Sequence, residues 1–271
     1  GGSFTAIPED YMLELLEAAS DYVRKREFRG IRISTRPDCI NERILDTLAE
    51  YRVTSIELGA QSMCDHVLEA NERGHSVQDV YGSCALIREY EFELGLQTMI
   101  GLYGSTPEDE LETMHRILDI APDTLRIYPV VILRGTRLGE LYESGEYVPY
   151  SFEKAVELAA SAMIMAEGSG IRVIKCGLHA SEFVERDMLG GFYHPAFREL
   201  CEGMIFRYNM EFALKSAGIT DGEVTFSVNP SCISKALGHK KSNTEYFRKR
   251  GIVVRITADE TAEKYQTELR R

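Results

Sequence analysis

Short apolar runs that each end in a polar cluster marked by glycine or proline recur four or five times along this chain. The clusters occupy residues 34–38, 59–62, 101–104, 128–129 and 176–179. The longer stretches between them place apolar residues at the helical period. Alternating strands and helices at this spacing predict βα units and a parallel sheet. In barrels built from such units, the loops after the C-terminal strand ends carry the chemistry. We therefore expect an α/β fold with its site at these loops.

The length and composition are those of an ordinary globular protein. With 271 residues, 44% of them hydrophobic, the chain can bury a full core. We expect a barrel-type domain over residues 1–178 and an α/β extension over residues 179–271. The 43 acidic and 31 basic residues leave a formal charge of −12, which argues against an extended surface for phosphate backbones. A basic run at residues 235–250 is interpreted as a solvated face.

Cysteine usage favours a reducing compartment. The six cysteines lack Cys-x-x-Cys spacing and are Cys39, Cys64, Cys84, Cys176, Cys201 and Cys232. This pattern indicates neither a zinc ribbon nor a disulfide scaffold, so we expect no metal ligands in this chain. We see no secretory signal and no apolar run of roughly 20 residues, so we expect a cytoplasmic protein without a membrane partner.

The same periodicity predicts the individual elements. Strands are expected at residues 31–33, 53–58, 95–100, 125–131, 171–176, 223–228 and 252–256. Helices are expected from Pro8 to Val23 and at residues 41–51, 67–68, 77–93, 152–168 and 196–216. Thr106, Pro107 and Asp109 form a helix start with a capping box. The charged last residues are expected to form a solvated helix or a frayed tail.

Four motifs in order carry a resemblance to a known family. They are Gly-Gly-Ser-Phe at residues 1–4, Ser-Thr-Arg-Pro-Asp at 34–38, Glu-Leu-Gly-Ala-Gln-Ser at 57–62 and Arg-Gly-His at 73–75. Their order and spacing resemble those of radical S-adenosylmethionine (SAM) enzymes, in the branch of the Elongator catalytic subunit and the oxygen-independent coproporphyrinogen oxidases. Residues 171–206 resemble a group of uncharacterised bacterial members. The resemblance implies a partial (β/α)6 barrel, here lacking its first strand and cluster loop.

The resemblance also implies two cofactors. In this family a [4Fe-4S] cluster sits on a Cys-x3-Cys-x2-Cys loop, and its open iron binds SAM, which one electron cleaves to a 5′-deoxyadenosyl radical. A reducing partner such as flavodoxin or ferredoxin would supply that electron. No such cysteine loop is in this chain, so the cluster ligands are expected upstream of Gly1. We expect a fragment of a radical SAM enzyme; the alternatives are a degenerate barrel that serves as a binding or scaffold module, and a barrel with unrelated chemistry.

The first two strand ends are expected to contact the amino acid part of SAM. Gly1 and Gly2 match the glycine motif whose backbone contacts the SAM amino group, with Ser3 beside them. Ser34 and Arg36 follow the strand whose end contacts the methionine, and a planar guanidinium suits a carboxylate. A surface loop with an arginine–aspartate ion pair is the alternative interpretation of that second segment.

Later strand ends complete the set of cofactor contacts that the resemblance implies. These positions bind the ribose, the methionine carboxylate and, through glycine-spaced backbone, the adenine. By the resemblance, Gln61 and Gln97 match ribose positions, and an amide offers a donor and an acceptor to a diol. An ordinary strand-end loop is the alternative interpretation for Gln61. Arg73 matches the carboxylate position. The set is Gln61, Ser62, Arg73, Gln97, Gly101 and Tyr103.

The substrate side is less determined. Arg126, Tyr128 and His179 are candidates to line it, and packing within the core is the alternative for each. Glu57 lies inside a strand and could face either the barrel interior or the outer helices. His75 has no role that the sequence indicates. A small molecule and a tRNA base both remain open as substrates, and the acidic charge favours the small molecule.

Overall fold

A computed structural model describes residues 3–270 of the chain. Within these residues the strands are β1 Ile31–Thr35, β2 Val53–Gln61, β3 Glu93–Ile100, β4 Thr124–Pro129, β5 Val131–Leu133, β6 Arg172–Cys176, β7 Met188–Gly191, β8 Gly222–Val228, β9 Ile252–Ala258 and β10 Glu268–Arg270. The α-helices are α1 Glu9–Arg24, α2 Glu42–Glu50, α3 Asp65–Ala70, α4 Val77–Glu89, α5 Pro107–Ile120, α6 Arg137–Glu143, α7 Phe152–Gly168, α8 Glu182–Asp187, α9 Phe197–Ser216, α10 Ile233–Leu237 and α11 Ser242–Arg248.

Five parallel strands form the central sheet, in the order β1-β2-β3-β4-β6. This confirms the expected α/β class and the parallel pairing of consecutive βα units. The strand expected at residues 125–131 is wrong in one respect, because it splits at Pro129. Proline has no N–H to donate to the ladder, and the next residues form β5, which pairs antiparallel with β7.

The two faces of the sheet differ in chemistry. Side chains alternate between the faces of a strand, and one set is apolar and nearly fully buried: Ile33, Ile56, Leu58, Leu94, Leu96, Leu125, Ile127 and Val173. Helices α2, α4 and α7 pack against the strands. The opposite set is polar, and all of its members except the buried Glu57 are at least partly exposed. We call it the polar face: Arg32, Ser34, Glu57, Gln97 and Arg126. One face therefore supplies the core, and the other is available for polar contacts.

A helical layer joins the sheet to the C-terminal part of the chain. Helix α9 packs against α7, and Arg198 of α9 donates to the Val173 carbonyl of β6 at 3.0 Å. A second sheet has the order β10-β8-β9. The expected helix or frayed tail at the C-terminus is wrong, since residues 268–270 pair antiparallel with the edge of β8. The division into domains at residue 178 stays a prediction.

Candidate functional site

Glu57 is the centre of the polar face. Its carboxylate is 1% exposed and accepts from Arg126 Nε at 2.6 Å, from Ser34 Oγ at 3.2 Å and from Gln97 Nε2. A Cβ added at Gly95 would lie 3.1 Å from Glu57 Cγ, so glycine lets the carboxylate cross β3 toward β4. The sequence left the direction of Glu57 open. The fold turns it toward the polar face, because its hydrogen-bond donors come from β1, β3 and β4.

Two arginines meet where β1 and α3 end. Arg36 donates to Asp38 at 2.9 and 2.6 Å and to the Gly74 carbonyl at 3.3 Å. Arg73 is different: its Nε is buried and has no hydrogen-bond partner within residues 3–270. Burial, and then the neighbouring Arg36, lower the pKa of the Arg73 guanidinium. A buried N–H group without a hydrogen-bond partner is costly, and the half-buried guanidinium that carries it lies beside a second cation. This corner therefore suits an incoming anion.

The segment after Arg73 is fixed to the end of β2. His75 is 7% exposed, and its Nε2 lies 3.2 Å from the Ala60 carbonyl, which makes Nε2 the protonated nitrogen. This contact gives His75 a structural role, which the sequence had not indicated.

Gln61 ends β2 in a strained conformation. Its φ is +65°, a left-handed value that residues other than glycine and asparagine rarely adopt. The amide folds back over Gly59, where an added Cβ would come within 2.6 Å of Gln61 Nε2. Thr98 of β3 holds the strained backbone by donating to the Gln61 carbonyl at 3.0 Å. Ser62 points elsewhere, with its hydroxyl 3.3 Å from Thr113 in α5.

The loop after β3 is held by hydrogen bonds from three separate segments of the chain. Gly101 has φ +83°, and its N–H donates to Glu110 of α5 at 2.7 Å. Tyr147 donates to the Gly101 carbonyl at 2.5 Å, and Asn71 donates to the Tyr103 carbonyl at 2.8 Å. The backbone conformation of this glycine-marked loop is therefore set before any ligand arrives.

The remaining candidates are spread along the same edge of the sheet. Tyr128 of β4 places its hydroxyl 3.3 Å from Arg126 Nη1. His179 is exposed beyond β6, with Nδ1 3.3 Å from Lys175 Nζ. Ser3 lies at the N-terminal turn, which Thr5 ties to β1 through a 2.6 Å contact between hydroxyls of Thr5 and Thr35. Gly1 and Gly2 lie outside the described residues.

The cysteines do not gather into a metal site. Within residues 3–270, no three His, Cys, Asp or Glu side chains are grouped to hold a metal ion. Cys176 and Cys201 form a buried pair with their sulfur atoms 3.9 Å apart. A cluster needs at least three thiolates, so the described residues do not fit a [4Fe-4S] cluster.

The order of these strand-end groups matches a known family. The sequence matches the Radical SAM superfamily over residues 1–117 and the Radical_SAM C-terminal domain over residues 122–206. This chain belongs to the radical SAM superfamily. Enzymes of this superfamily use SAM and a [4Fe-4S] cluster. Within residues 3–270, no helix is long and apolar enough to cross a membrane.

Similar proteins come from a narrower part of the radical SAM superfamily. The tRNA uridine(34) acetyltransferase of Methanocaldococcus infernus is 29% identical over 182 residues, covering 60% of this chain and 34% of that protein. Elongator complex protein 3 of Homo sapiens is 31% identical over 185 residues, covering 61% of this chain and 34% of that protein. The chain thus spans about a third of the length of these relatives.

A solved structure of this group shares the fold. The structure of the archaeal Methanocaldococcus infernus Elp3 with an N-terminal deletion aligns with a TM-score of 0.66 at 24% identity. The alignment covers 81% of this chain and 53% of that chain. The barrel-type architecture expected of a radical SAM protein is thereby confirmed.

Two polar residues of this site were not predicted from the sequence. Glu110 and Thr113 lie on the buried stripe of α5 together with Met114 and Ile117. The position of Glu110 in line with the apolar residues of α5 indicates that its carboxylate is buried, and a buried polar group needs a hydrogen-bond partner. The capping box at Thr106 makes this position hard to recognise, because Glu110 is one of three acidic residues in the first turn of α5, where acidic residues are common.

Proposed function

We propose that this chain forms the SAM-binding part of an enzyme that cleaves SAM to a 5′-deoxyadenosyl radical. The observation that carries the proposal is the half-buried Arg73 guanidinium, whose buried Nε has no hydrogen-bond partner within residues 3–270. Arg36 and Asp38 at the end of β1 are its charged neighbours, and His75, two residues further on, is fixed to the end of β2. A methionine carboxylate would pair with the accessible part of this half-buried guanidinium and supply the countercharge.

The other parts of SAM follow the same sheet edge in this proposal. The strained Gln61 would hydrogen-bond the ribose, and the backbone of residues 101–104 would hold the adenine. Arg36 is already paired with Asp38, so Arg73 is the primary carboxylate partner. Ser62 is engaged with Thr113 and takes no part. SAM, when bound and reduced, supplies the radical; the protein orients it and excludes water.

In this proposal the cluster ligands lie outside these 271 residues, because no three of the six cysteines come together in the described part of the chain. The complete protein would therefore carry the cluster and receive an electron from a partner such as flavodoxin or ferredoxin. Six free thiols support a reducing, cytoplasmic location.

The substrate is proposed to meet the polar face, where Arg126 and Tyr128 present donors beyond Glu57. These donors suit the carbonyl oxygens of a pyrimidine base. The relatives named for tRNA uridine(34) support a uridine base as the substrate. A small molecule with the same acceptors is the alternative that the acidic net charge favours.

The test uses the complete protein with its cluster reconstituted under anaerobic conditions. Reduction in the presence of SAM should release 5′-deoxyadenosine and methionine, and substrate tRNA should change the rate of release. An unmodified tRNA transcript and free uridine, added separately, distinguish the two substrate classes. SAM binding without cleavage would instead favour a binding module that has lost redox chemistry. No SAM binding at all would remove the proposal.

A further inference from the structure

Glu110 holds both ends of the loop between β3 and α5. One carboxylate oxygen, Oε1, accepts from the Gly101 N–H at 2.7 Å and from the Ser105 hydroxyl at 3.1 Å. Glu110 is 5% exposed and lies in the first turn of α5, directly after the loop it binds. The carboxylate therefore joins the two ends of residues 101–105 to one atom.

Two tyrosines complete the attachment of the same loop. Tyr147 donates to the Gly101 carbonyl at 2.5 Å, and Tyr150 donates to the Ser105 carbonyl at 2.8 Å. Phe192 closes the other side, since a Cβ added at Gly101 would come within 2.4 Å of its ring. The loop has no freedom to swing toward solvent while these contacts stand, and such pre-organisation lowers the entropy cost of binding.

We propose that Glu110 is a positioning residue that holds residues 101–105 in the shape that receives the adenine of SAM. The inference rests on the proposed function, because that function assigns this loop to adenine. It goes further by naming an acid that does not touch the ligand and acts through the loop backbone. Glu110 works as an acceptor of two hydrogen bonds, and an ionised carboxylate accepts them more strongly than a neutral acid.

The ionisation of Glu110 falls near neutral pH. Burial raises the pKa of this carboxyl to about 7, against the hydrogen bonds from Gly101 and Ser105, which lower it. The titratable groups that face it are Asp109, whose charge raises the pKa further, and the hydroxyls of Tyr147 and Tyr150. In this proposal, loss of the proton between pH 6 and pH 8 strengthens the two hydrogen bonds that the carboxylate accepts from Gly101 and Ser105.

Binding and stability respond to this titration in opposite directions. The pKa of Glu110 is higher in the folded protein than in the unfolded chain. Glu110 therefore contributes stability that is fully present below about pH 4.5 and is lost as the pH rises through about 7. A purely structural role for Glu110 would make the protein, and any site in it, better formed at low pH. The positioning role makes SAM affinity increase from pH 6 to pH 8.

The experiment measures SAM affinity calorimetrically in the complete reconstituted protein at pH 6, 7 and 8, with Glu110→Gln as the variant. Wild type should bind more tightly as the pH rises. The variant should bind roughly 10-fold more weakly at pH 8, because the neutral amide removes the negative charge that strengthens both hydrogen bonds, and its affinity should not rise with pH. 5′-Methylthioadenosine, which keeps the adenine and lacks the carboxylate, should lose affinity by the same factor.

The matched control is Glu108→Gln, the same substitution at an exposed position of the same helical turn. If Glu110→Gln is poorly folded, Ser105→Ala removes one of the two hydrogen bonds without disturbing the buried helix, and it should lower SAM affinity about 3-fold, half of that effect on the free energy. Equal affinities and equal pH slopes for Glu110→Gln and Glu108→Gln would overturn the positioning role alone. Wild-type protein that binds neither SAM nor 5′-methylthioadenosine would overturn the proposed function together with it.

Discussion

At the scale of single residues, the site combines one buried guanidinium N–H that has no hydrogen-bond partner with one strained backbone. The Arg73 Nε has no partner in the described part of the chain, and Gln61 adopts φ +65°. Both features reduce the stability of the free protein. Such costs persist only where surrounding contacts impose them, and here Thr98 and His75 supply those contacts. Strain and an unpaired cation together favour a ligand-binding role over a packing role.

Arg73→Ala should weaken SAM binding by about 2 kcal/mol, or roughly 30-fold, because a charge-assisted hydrogen bond to the carboxylate is lost. The thermal midpoint of the ligand-free protein should stay the same or increase, since the substitution also removes a buried unpaired donor. Isothermal titration calorimetry measures the first effect and scanning calorimetry the second. Arg43→Ala, on the exposed side of α2, is the control. Equal SAM affinities for the two variants would contradict the assignment.

Gln61→Gly separates strain from recognition at the ribose position. Glycine adopts positive φ without cost, so the variant should gain stability of roughly 1 kcal/mol from relief of the strain. It should also bind SAM less tightly, because the amide is lost. Urea unfolding and calorimetric titration give the two values. A variant that gains stability and keeps its affinity would leave the ribose contact without support.

At the scale of elements, the strands are joined through Glu57 as well as through backbone bonds. Its carboxylate collects donors from β1, β3 and β4 across the missing side chain of Gly95. A buried carboxylate that loses its cation is left uncompensated. The polar face thus depends on a network that spans four strands.

Arg126→Met should lower the free energy of unfolding by about 3 kcal/mol, because the buried Glu57 carboxylate loses its 2.6 Å partner and is left with Arg32 at 3.5 Å as its cation. Adding Glu57→Gln should restore part of that loss, since the poorly compensated charge is removed. The control is Arg172→Met, which breaks a pair between more exposed side chains on Arg172 and Glu93 and should change stability by less than about 0.5 kcal/mol. Chemical denaturation measures all four proteins. Equal losses for the two arginine variants would contradict the network.

At the scale of the whole molecule, Glu202 joins the helical layer to the C-terminal sheet. It is 3% exposed and accepts from Arg198 in α9 at 3.2 Å, from Lys235 in α10 at 3.0 Å and from Tyr265 at 3.0 Å. Burial alone would raise the pKa of this carboxyl, but the bonds from Lys235 and Tyr265 and the charge of Arg198 hold it below its usual value. One ionised group therefore couples three segments.

The pH dependence of stability should report this coupling. The pKa of Glu202 is lower in the folded protein than in the unfolded chain. Glu202 therefore contributes stability that is present above about pH 4.5 and is lost as the pH falls through the folded-state pKa. Wild-type protein should therefore lose more stability than Glu202→Gln as the pH falls from about 5 toward 3. Denaturation at several pH values measures this difference. Parallel curves for the two proteins would show that Glu202 carries no net coupling.

The sequence determined the βα order, the capping box at Thr106 and the polar strand ends, because hydrophobic period, turn residues and caps are local properties of the chain. It could not determine the direction of Glu57, the antiparallel pairing of residues 268–270 with β8, or the hydrogen bonds by which Glu110 holds the loop after β3. Each of these depends on partners distant along the chain: Arg126 for Glu57, the free edge of β8 for the last strand, and the Gly101 backbone for Glu110. Only the packed structure decided which donor reached which carboxylate.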